Sequence, residues 1–192
     1  MIKYPNGKSP VSKAPSTKRR LQNAANRGMG LEGDINLSNE YYKNTNRALI
    51  TKRPTPVNVV KVDYQRGARI TDAYFEKQST TDYNGVYKGK YLDFEAKSTT
   101  SKTSFPLHNI SAHQIEHLNR VLAQGGICFF IVEFSVLNRV YLIDARVIID
   151  FYNHETRKSI PLEIFETKGL ALTLSFSPRI NYLDAVDQFY HL

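Results

Sequence analysis

The stretch that decides the fold is residues 80–97, which reads TTDYNGVYKGKYLDFEAK. A two-residue loop at Lys88 and Gly89 would make this stretch a β-hairpin in which the numbers of facing residues sum to 177. Asp82 then lies opposite Glu95. The sequence therefore predicts two antiparallel strands that bring two carboxylates together.

The two faces of this hairpin differ in polarity, because side chains alternate along a strand. One face carries an apolar stripe, which consists of Leu92, Phe94 and Ala96. The opposite face carries Tyr91, Asp93, Glu95 and Lys97, and the same register places Thr80 opposite Lys97. We expect the first face to pack on the core and the second to carry the chemistry.

A second register is open to this hairpin. Asn84-Gly85 is a stronger type I′ turn sequence than Lys88-Gly89. A turn there would make facing numbers sum to 169 and would place Asp82 opposite Tyr87. We prefer the later turn because it leaves both strands long enough to pair and aligns their polar faces.

In the preferred register Asp82 and Glu95 form a carboxylate pair. Facing Cβ atoms lie about 4.5 to 5.5 Å apart in such a ladder, and two carboxylates at that distance repel unless a proton or a cation intervenes. Mg2+ prefers oxygen ligands and suits two carboxylates plus a substrate phosphate, and Lys97 would offset charge that develops on that phosphate. The alternative is an ordinary half-solvated hairpin in which Lys97 pairs with Glu95 at the surface.

The positive charge of the chain is concentrated at its start. The net charge is +8 over 192 residues, and the first 30 residues hold seven basic residues and no acidic one. Residues 1–28 also contain Pro5, Pro10 and Pro15 with few apolar residues, so we expect a basic arm that stays disordered until it meets a polyanion. The arm lacks the apolar segment of a secretory signal, no run is long enough to span a membrane, and Cys128 is the one cysteine. We therefore expect a cytoplasmic protein without a disulfide.

Past the arm, residue patterns predict an α/β fold with a mixed central sheet flanked by helices. Residues 127–134 are apolar on both faces, which is typical of a central strand. The other predicted elements are a helix over 31–49, extended segments over 57–64 and 70–78, a helix over 109–124, a strand over 139–143 and a closing helix over 181–190.

The segment that contains the predicted extended stretches 57–64 and 70–78 is basic and contains tyrosines. We interpret it as a projecting element that contacts phosphates and stacks on unpaired bases. A hairpin with a merely solvated positive face is the alternative. The candidate DNA-binding residues of the arm and this element are Lys18, Arg19, Arg20, Arg27, Lys52, Arg53, Lys61, Arg66 and Arg69.

Three further features of the sequence, which are one motif and two single residues, have competing interpretations. His113 and His117 with Glu116 match the H-x-x-E-H pattern of zinc peptidases, which arises easily by chance and gives the basic arm no role. Gln114 forms a capping box with Ser111, which we favour; the alternative is that its carbonyl instead supports a metal-bound water. Glu32 favours the dipole of the first helix or, as a secondary site residue, faces the metal.

Several segments in order resemble the RecU family of Holliday junction resolvases, and the resemblance runs from about Arg27 to the C-terminus and also includes the opening segment Tyr4–Lys8. They are Tyr4–Lys8, Asn26–Met29, Lys52–Pro56, Thr80–Gly85, Asp93–Lys97, Lys102–Pro106 and His113–His117. The resemblance implies a restriction-endonuclease-like PD-(D/E)xK fold, a homodimer, Mg2+ or Mn2+ as cofactor, and paired symmetric cleavage of four-way DNA junctions in recombination and repair. A recombinase and a branch-migration helicase are the further partners expected.

The resemblance also implies roles for individual residues. The family's metal-site positions match Thr80, Asp82, Glu95 and Gln114, and its transition-state lysine matches Lys97. Gln114 would then both cap its helix and reach the metal. Residues 57–75 match the family's stalk, and residues 29–192 would form the nuclease domain. A duplex nuclease without junction selectivity and a noncatalytic junction-binding recombination mediator remain the alternative functions.

Overall fold

The computed structural model describes residues 17–76, 80–154 and 156–192. The helices of this part of the chain are α1 (Thr17–Asn44), α2 (Ala112–Ala123), α3 (Ala145–His154), α4 (Leu162–Lys168) and α5 (Tyr182–Tyr190). The strands are β1 (Leu49–Lys52), β2 (Val57–Asp63), β3 (Arg69–Phe75), β4 (Tyr83–Tyr87), β5 (Lys90–Thr99), β6 (Ser104–Pro106), β7 (Ile127–Phe134), β8 (Arg139–Asp144), β9 (Ser159–Pro161) and β10 (Gly169–Leu172).

Six strands form the central sheet in the order β1-β4-β5-β7-β8-β10. The β5–β7 pair is parallel and the others are antiparallel, so the sheet is mixed as predicted. β7 lies inside the sheet and its apolar residues are buried on both faces, which confirms the central strand. Smaller two-stranded sheets pair β2 with β3 and β6 with β9.

Helices cover both faces of the central sheet, and each face has its own apolar core. On one face α1 and α5 pack against the stripe of Leu92, Phe94 and Ala96. On the other face α2, α3 and α4 cover a second cluster that includes Phe130 of β7 and Leu118 of α2. The predicted fold class is confirmed, and so is the apolar face of the β4–β5 hairpin.

The register of this hairpin is the one predicted from the Lys88-Gly89 turn. Tyr83 pairs with Phe94, and both turn residues have positive φ, 47° at Lys88 and 72° at Gly89. The alternative turn at Asn84-Gly85 is wrong because both residues lie within β4. Gly85 serves close packing instead, since a Cβ there would lie 2.1 Å from the backbone oxygen of Leu49 in β1.

The first helix differs from its prediction at both ends. It begins at Thr17, so residues 17–28 of the predicted disordered arm are helical, and it passes through Gly33 without a break. It ends at Asn44, short of the predicted end at residue 49, and β1 follows. β1 was missed because it has only four residues and buries one of them, Ile50, which is too little for a periodic pattern. Residues 1–16 of the arm lie outside the described residues.

The segment over residues 57–75 forms the antiparallel β2–β3 hairpin, with a register shift next to Val60. Its side chains are mostly exposed, and Tyr64, Tyr74 and Phe75 are 75%, 60% and 79% exposed. The sequence predicted a projecting element here; β3 ends at Phe75, and residues 77 and 78 of the predicted extended segment lie outside the described residues. No helix among the described residues has the length and apolar character needed to cross a membrane.

Candidate active site

The carboxylates of Asp82 and Glu95 meet where β4 begins, beside the middle of β5. The backbone N–H of Asp82 donates a hydrogen bond to Glu95 Oε2 at 3.0 Å. In return, Asp82 Oδ2 accepts one from the backbone N–H of Ala96 at 3.3 Å. The predicted pair therefore forms, although the β-ladder itself starts one residue later, at Tyr83.

Glu95 is shielded from water, Asp82 is half-buried, and the pair is electrostatically unfavourable. Glu95 is only 1% exposed, and burial together with the nearby charge of Asp82 raises its pKa to about 7, although Lys97 and Gln114 partly oppose the shift. Burial also raises the pKa of Asp82, against the influence of Lys97. The interpretation as a solvated surface hairpin is wrong, because surface carboxylates would not be buried in this way.

Lys97 lies two residues beyond Glu95 on the same face of β5. Its Nζ is 2.7 Å from Glu95 Oε1, and 22% of the side chain is exposed. The ammonium group therefore contacts the buried carboxylate while part of its side chain remains accessible from solvent. This is a suitable position for a cation that acts on a substrate phosphate.

Gln114 connects α2 to the carboxylate pair. Its Oε1 accepts a hydrogen bond from the backbone N–H of Ser111 at 3.1 Å, which forms the predicted capping box. Its Nε2 donates to Glu95 Oε1 at 2.6 Å. The helix cap and the approach to the site are thus both present, and direct metal contact by Gln114 stays a prediction.

Glu32 and Thr80 lie at the margin of the site. Glu32 is in the middle of α1, so its predicted role at the helix N-terminus is wrong, and it forms an ion pair with Lys52 instead. Its charge contributes to the raised pKa of Asp82, after burial. Thr80 is half-buried and lies two residues before Asp82, outside the paired part of β4. Its predicted pairing with Lys97 is therefore not part of the ladder.

A second buried carboxylate, Asp93, lies two residues before Glu95 on the same face of β5. It is fully buried and contacts Arg53 Nη2 at 2.7 Å, the Tyr91 hydroxyl at 3.0 Å and His117 Nε2 at 2.9 Å. Burial alone would raise the pKa of Asp93, but the hydrogen bonds from Arg53, Thr81 and His117 hold it below its ordinary value. We did not predict this cluster, although the alternation of β5 already placed Asp93 on the polar face.

The prediction that Arg53 contacts DNA needs correction. Its side chain is 18% exposed, and its guanidinium group is held by the carboxylate of Asp93. Lys52, Lys61, Arg66 and Arg69 are exposed and remain candidate phosphate contacts. Lys18, Arg19, Arg20 and Arg27 lie in the first half of α1.

The two histidines of the H-x-x-E-H pattern have different partners. His113 Nε2 lies 3.0 Å from the hydroxyl of Ser111, whereas His117 Nε2 contacts Asp93. Across the described residues, no three or more side chains of His, Cys, Asp and Glu are grouped as metal ligands. The structure thus gives the zinc-peptidase interpretation no support.

The donors around the carboxylate pair fit a hard divalent cation better than zinc. The described contacts place the carboxylate oxygens of Asp82 and Glu95 there, and Mg2+ and Mn2+ prefer such donors. The Gln114 amide turns its Nε2 toward Glu95 and its Oε1 toward Ser111. Burial raises the pKa of both carboxyl groups despite the nearby charge of Lys97, and the charge of Asp82 raises the pKa of Glu95 further. A cation between them would relieve this repulsion.

Comparisons with known proteins identify the family of this chain. The model of the family "Recombination protein U" (RecU) matches residues 26–188. The chain belongs to the RecU family. A protein of Geobacillus kaustophilus named Holliday junction resolvase RecU is 51% identical to this chain, and the match covers 98% of this chain and 98% of that protein. A protein of the same name from Oceanobacillus iheyensis is 46% identical, and the match covers 98% of this chain and 100% of that protein.

A solved structure of Hjc, a Holliday junction resolvase from Archaeoglobus fulgidus, overlaps this chain with a TM-score of 0.44 at 13% identity. The overlap covers 74% of this chain and 93% of that one. In this RecU chain Asp82 directly precedes β4, and Glu95 and Lys97 lie two residues apart on β5.

Proposed function

We propose that this RecU chain is a Mg2+-dependent endonuclease that resolves four-way DNA junctions by paired symmetric cuts in recombination and repair. The observation that carries the proposal is the pair formed by Asp82 and the buried Glu95, with Lys97 Nζ 2.7 Å from Glu95. The family and the names of its relatives supply the substrate class.

In this proposal Asp82 and Glu95 hold the cation, and Thr80 and Gln114 complete its surroundings. A bound Mg2+ or Mn2+ supplies an activated water and neutralises phosphate charge. Lys97 donates hydrogen bonds to the phosphate as negative charge develops on it. Burial of Glu95 excludes bulk water and strengthens each of these electrostatic interactions.

The proposal also assigns the parts of the chain around this site. Residues 1–28 form a basic arm that contacts DNA, residues 29–192 form the nuclease domain, and the stalk over residues 57–75 enters the junction with exposed cations and tyrosines. A homodimer suits the substrate, because two symmetry-related sites face two symmetry-related strands. Action in the cytoplasm beside a recombinase and a branch-migration helicase belongs to the same proposal.

The test compares a labelled mobile four-way junction with a duplex of matched sequence, in Mg2+ or in EDTA. The wild type is expected to cut the junction in Mg2+ but not in EDTA. Glu95→Gln is expected to bind the junction without cutting it. Glu166→Gln changes an exposed glutamate far along the chain and serves as the control. Equal cutting of the duplex would favour a nuclease without junction selectivity. Junction binding by the wild type without any cutting would favour the noncatalytic mediator.

A further inference from the structure

The backbone around Asp82 is held by more than its own hairpin. In the β1–β4 ladder facing numbers sum to 135, so Arg53, one residue past β1, lies opposite Asp82. The backbone N–H of Arg53 donates to the carbonyl oxygen of Asp82 at 2.7 Å. With the Asp82 N–H bound to Glu95, both backbone polar groups of this residue are therefore fixed.

The side chain of Arg53 binds the same segment a second time. Its Nη1 donates to the backbone oxygen of Thr81 at 3.2 Å and also to the Thr81 hydroxyl. The two terminal nitrogens reach both oxygens of Asp93, at 3.2 and 2.7 Å. The Thr81 hydroxyl in turn donates to Asp93. The guanidinium group thus joins the chain beside Asp82 to the strand that carries Glu95.

We propose that Arg53, anchored by Asp93, is a positioning residue that fixes the Thr81–Asp82 segment so that the Asp82 carboxylate faces Glu95 as a metal ligand. The inference rests on the proposed function, because it assigns Asp82 to the metal. Arg53 itself touches neither of the proposed ligand carboxylates with its side chain. It acts through the backbone of residues 81 and 82.

The chemistry of the contacts explains why an arginine is needed. A planar guanidinium group presents several N–H donors in a fixed fork and binds a carboxylate through two nitrogens while other donors remain free. A lysine has one nitrogen and cannot hold Asp93 and Thr81 with the same geometry. The pairing also explains the complete burial of Asp93, which would be costly without a partner.

The location of Arg53 favours this role over phosphate binding. Its side chain is 18% exposed, and the Asp93 carboxylate already occupies the guanidinium group. Lys52, the adjacent residue, has 42% of its side chain exposed and is the better phosphate contact. A DNA contact by Arg53 would compete with its ion pair to the buried Asp93 carboxylate.

We call the Arg53 guanidinium group and its Asp93 anchor the clamp. The main test variant is the double substitution Arg53→Ala with Asp93→Asn, which removes the clamp without leaving a buried unpaired carboxylate. The matched control is Arg139→Ala with Glu166→Gln, which removes an exposed arginine–carboxylate pair of 2.6 Å. Arg53→Lys is the third variant and retains the charge. It keeps the proposal testable if the double variant fails to fold.

Binding of Mn2+ to the protein without DNA is measured by calorimetry. We expect the dissociation constant to rise by about 10- to 100-fold in the Arg53/Asp93 variant, as for loss of groups that orient metal ligands. Arg53→Lys should lie between this variant and the wild type, and the control should match the wild type. Junction binding in EDTA should stay within about threefold, because the clamp does not face phosphate. Unchanged Mn2+ affinity in Arg53→Lys and in the double variant would overturn the proposal, as would lost junction binding with normal Mn2+ affinity.

Hydrogen exchange of the Asp82 amide separates this inference from the proposed nuclease function. In the wild type that amide is bound to Glu95 Oε2, so it should exchange slowly. Removing the clamp should accelerate its exchange in metal-free protein, while exchange in β7 stays unchanged. Faster exchange would support the clamp even if the wild type cut no junction. Unchanged exchange would refute it even if the wild type were an active resolvase.

Discussion

The substitution Glu95→Gln should stabilise the metal-free protein. The pKa of Glu95 is raised from its ordinary 4.5 to about 7, first by burial and then by the charge of Asp82. At pH 8 Glu95 is ionised in both the folded and the unfolded chain, and the shift corresponds to a cost of about 3 kcal/mol in the folded state. Glutamine has nearly the same shape and no charge, so it removes this cost.

The expected gain depends on pH in a definite direction. The folded protein holds the Glu95 proton up to about pH 7, whereas the unfolded chain releases it near 4.5. Between these values the folded state binds more protons, so the stability of the wild type falls as the pH rises. The advantage of Glu95→Gln should therefore be near zero at pH 4.5, grow through this interval and be complete above pH 7.

Urea unfolding in EDTA at pH 5 and pH 8, followed by circular dichroism, measures the difference. Glu166→Gln is the control, because this exposed glutamate should change stability by less than about 0.5 kcal/mol. Equal or lower stability of Glu95→Gln at pH 8 would show that the contacts of Glu95 with Lys97 and Gln114 outweigh burial and repulsion. That result would refute the electrostatic reasoning.

Three other substitutions test separate parts of the molecule. Lys97→Met should lower the single-turnover cutting rate by about 100- to 1,000-fold, with junction affinity nearly unchanged, because its charge acts in the transition state. Arg66→Ala at the stalk should reduce the slope of log affinity against log salt by about 1, measured by titration of junction binding. Gly85→Ala should destabilise by at least about 1–3 kcal/mol in urea unfolding, because the new Cβ would lie 2.1 Å from Leu49 O. Gly33→Ala, in open space on α1, is its control and should be neutral or stabilising.

The carboxylate pair was predictable because every step of it was local. A two-residue turn fixed the register, and strand alternation then fixed which side chains share a face. Asp82, Glu95 and Lys97 followed from these two rules. Gln114 was harder, since the capping box explained its identity without reference to the site. Its second hydrogen bond, to Glu95, depends on how α2 lies across the sheet.

The Arg53 cluster could not be predicted because it depends on a non-local pairing. β1 joins the sheet beside β4, and four residues with one buried side chain leave no periodic signal. Without knowledge that β1 belongs to the sheet, the sequence assigns Arg53 to the group of exposed cations beside the stalk. The charge of the arm and stalk likewise indicated a polyanion without showing which arginines were already paired within the protein.

The free energy of unfolding should differ between the metal-free and the metal-bound protein by about as much as the ionised Glu95 destabilises the metal-free protein. The proposed metal ligands come from separate segments, with Asp82 before β4 and Glu95 on β5, so the unfolded chain lacks the proposed site. A cation that binds only the folded state adds about 2.7 kcal/mol at a concentration 100 times its dissociation constant. This is close to the roughly 3 kcal/mol attributed to ionised Glu95. Binding of the cation would thus restore the stability that the two facing carboxylates remove, and Glu95→Gln, already relieved of that charge, should gain much less from Mn2+ than the wild type.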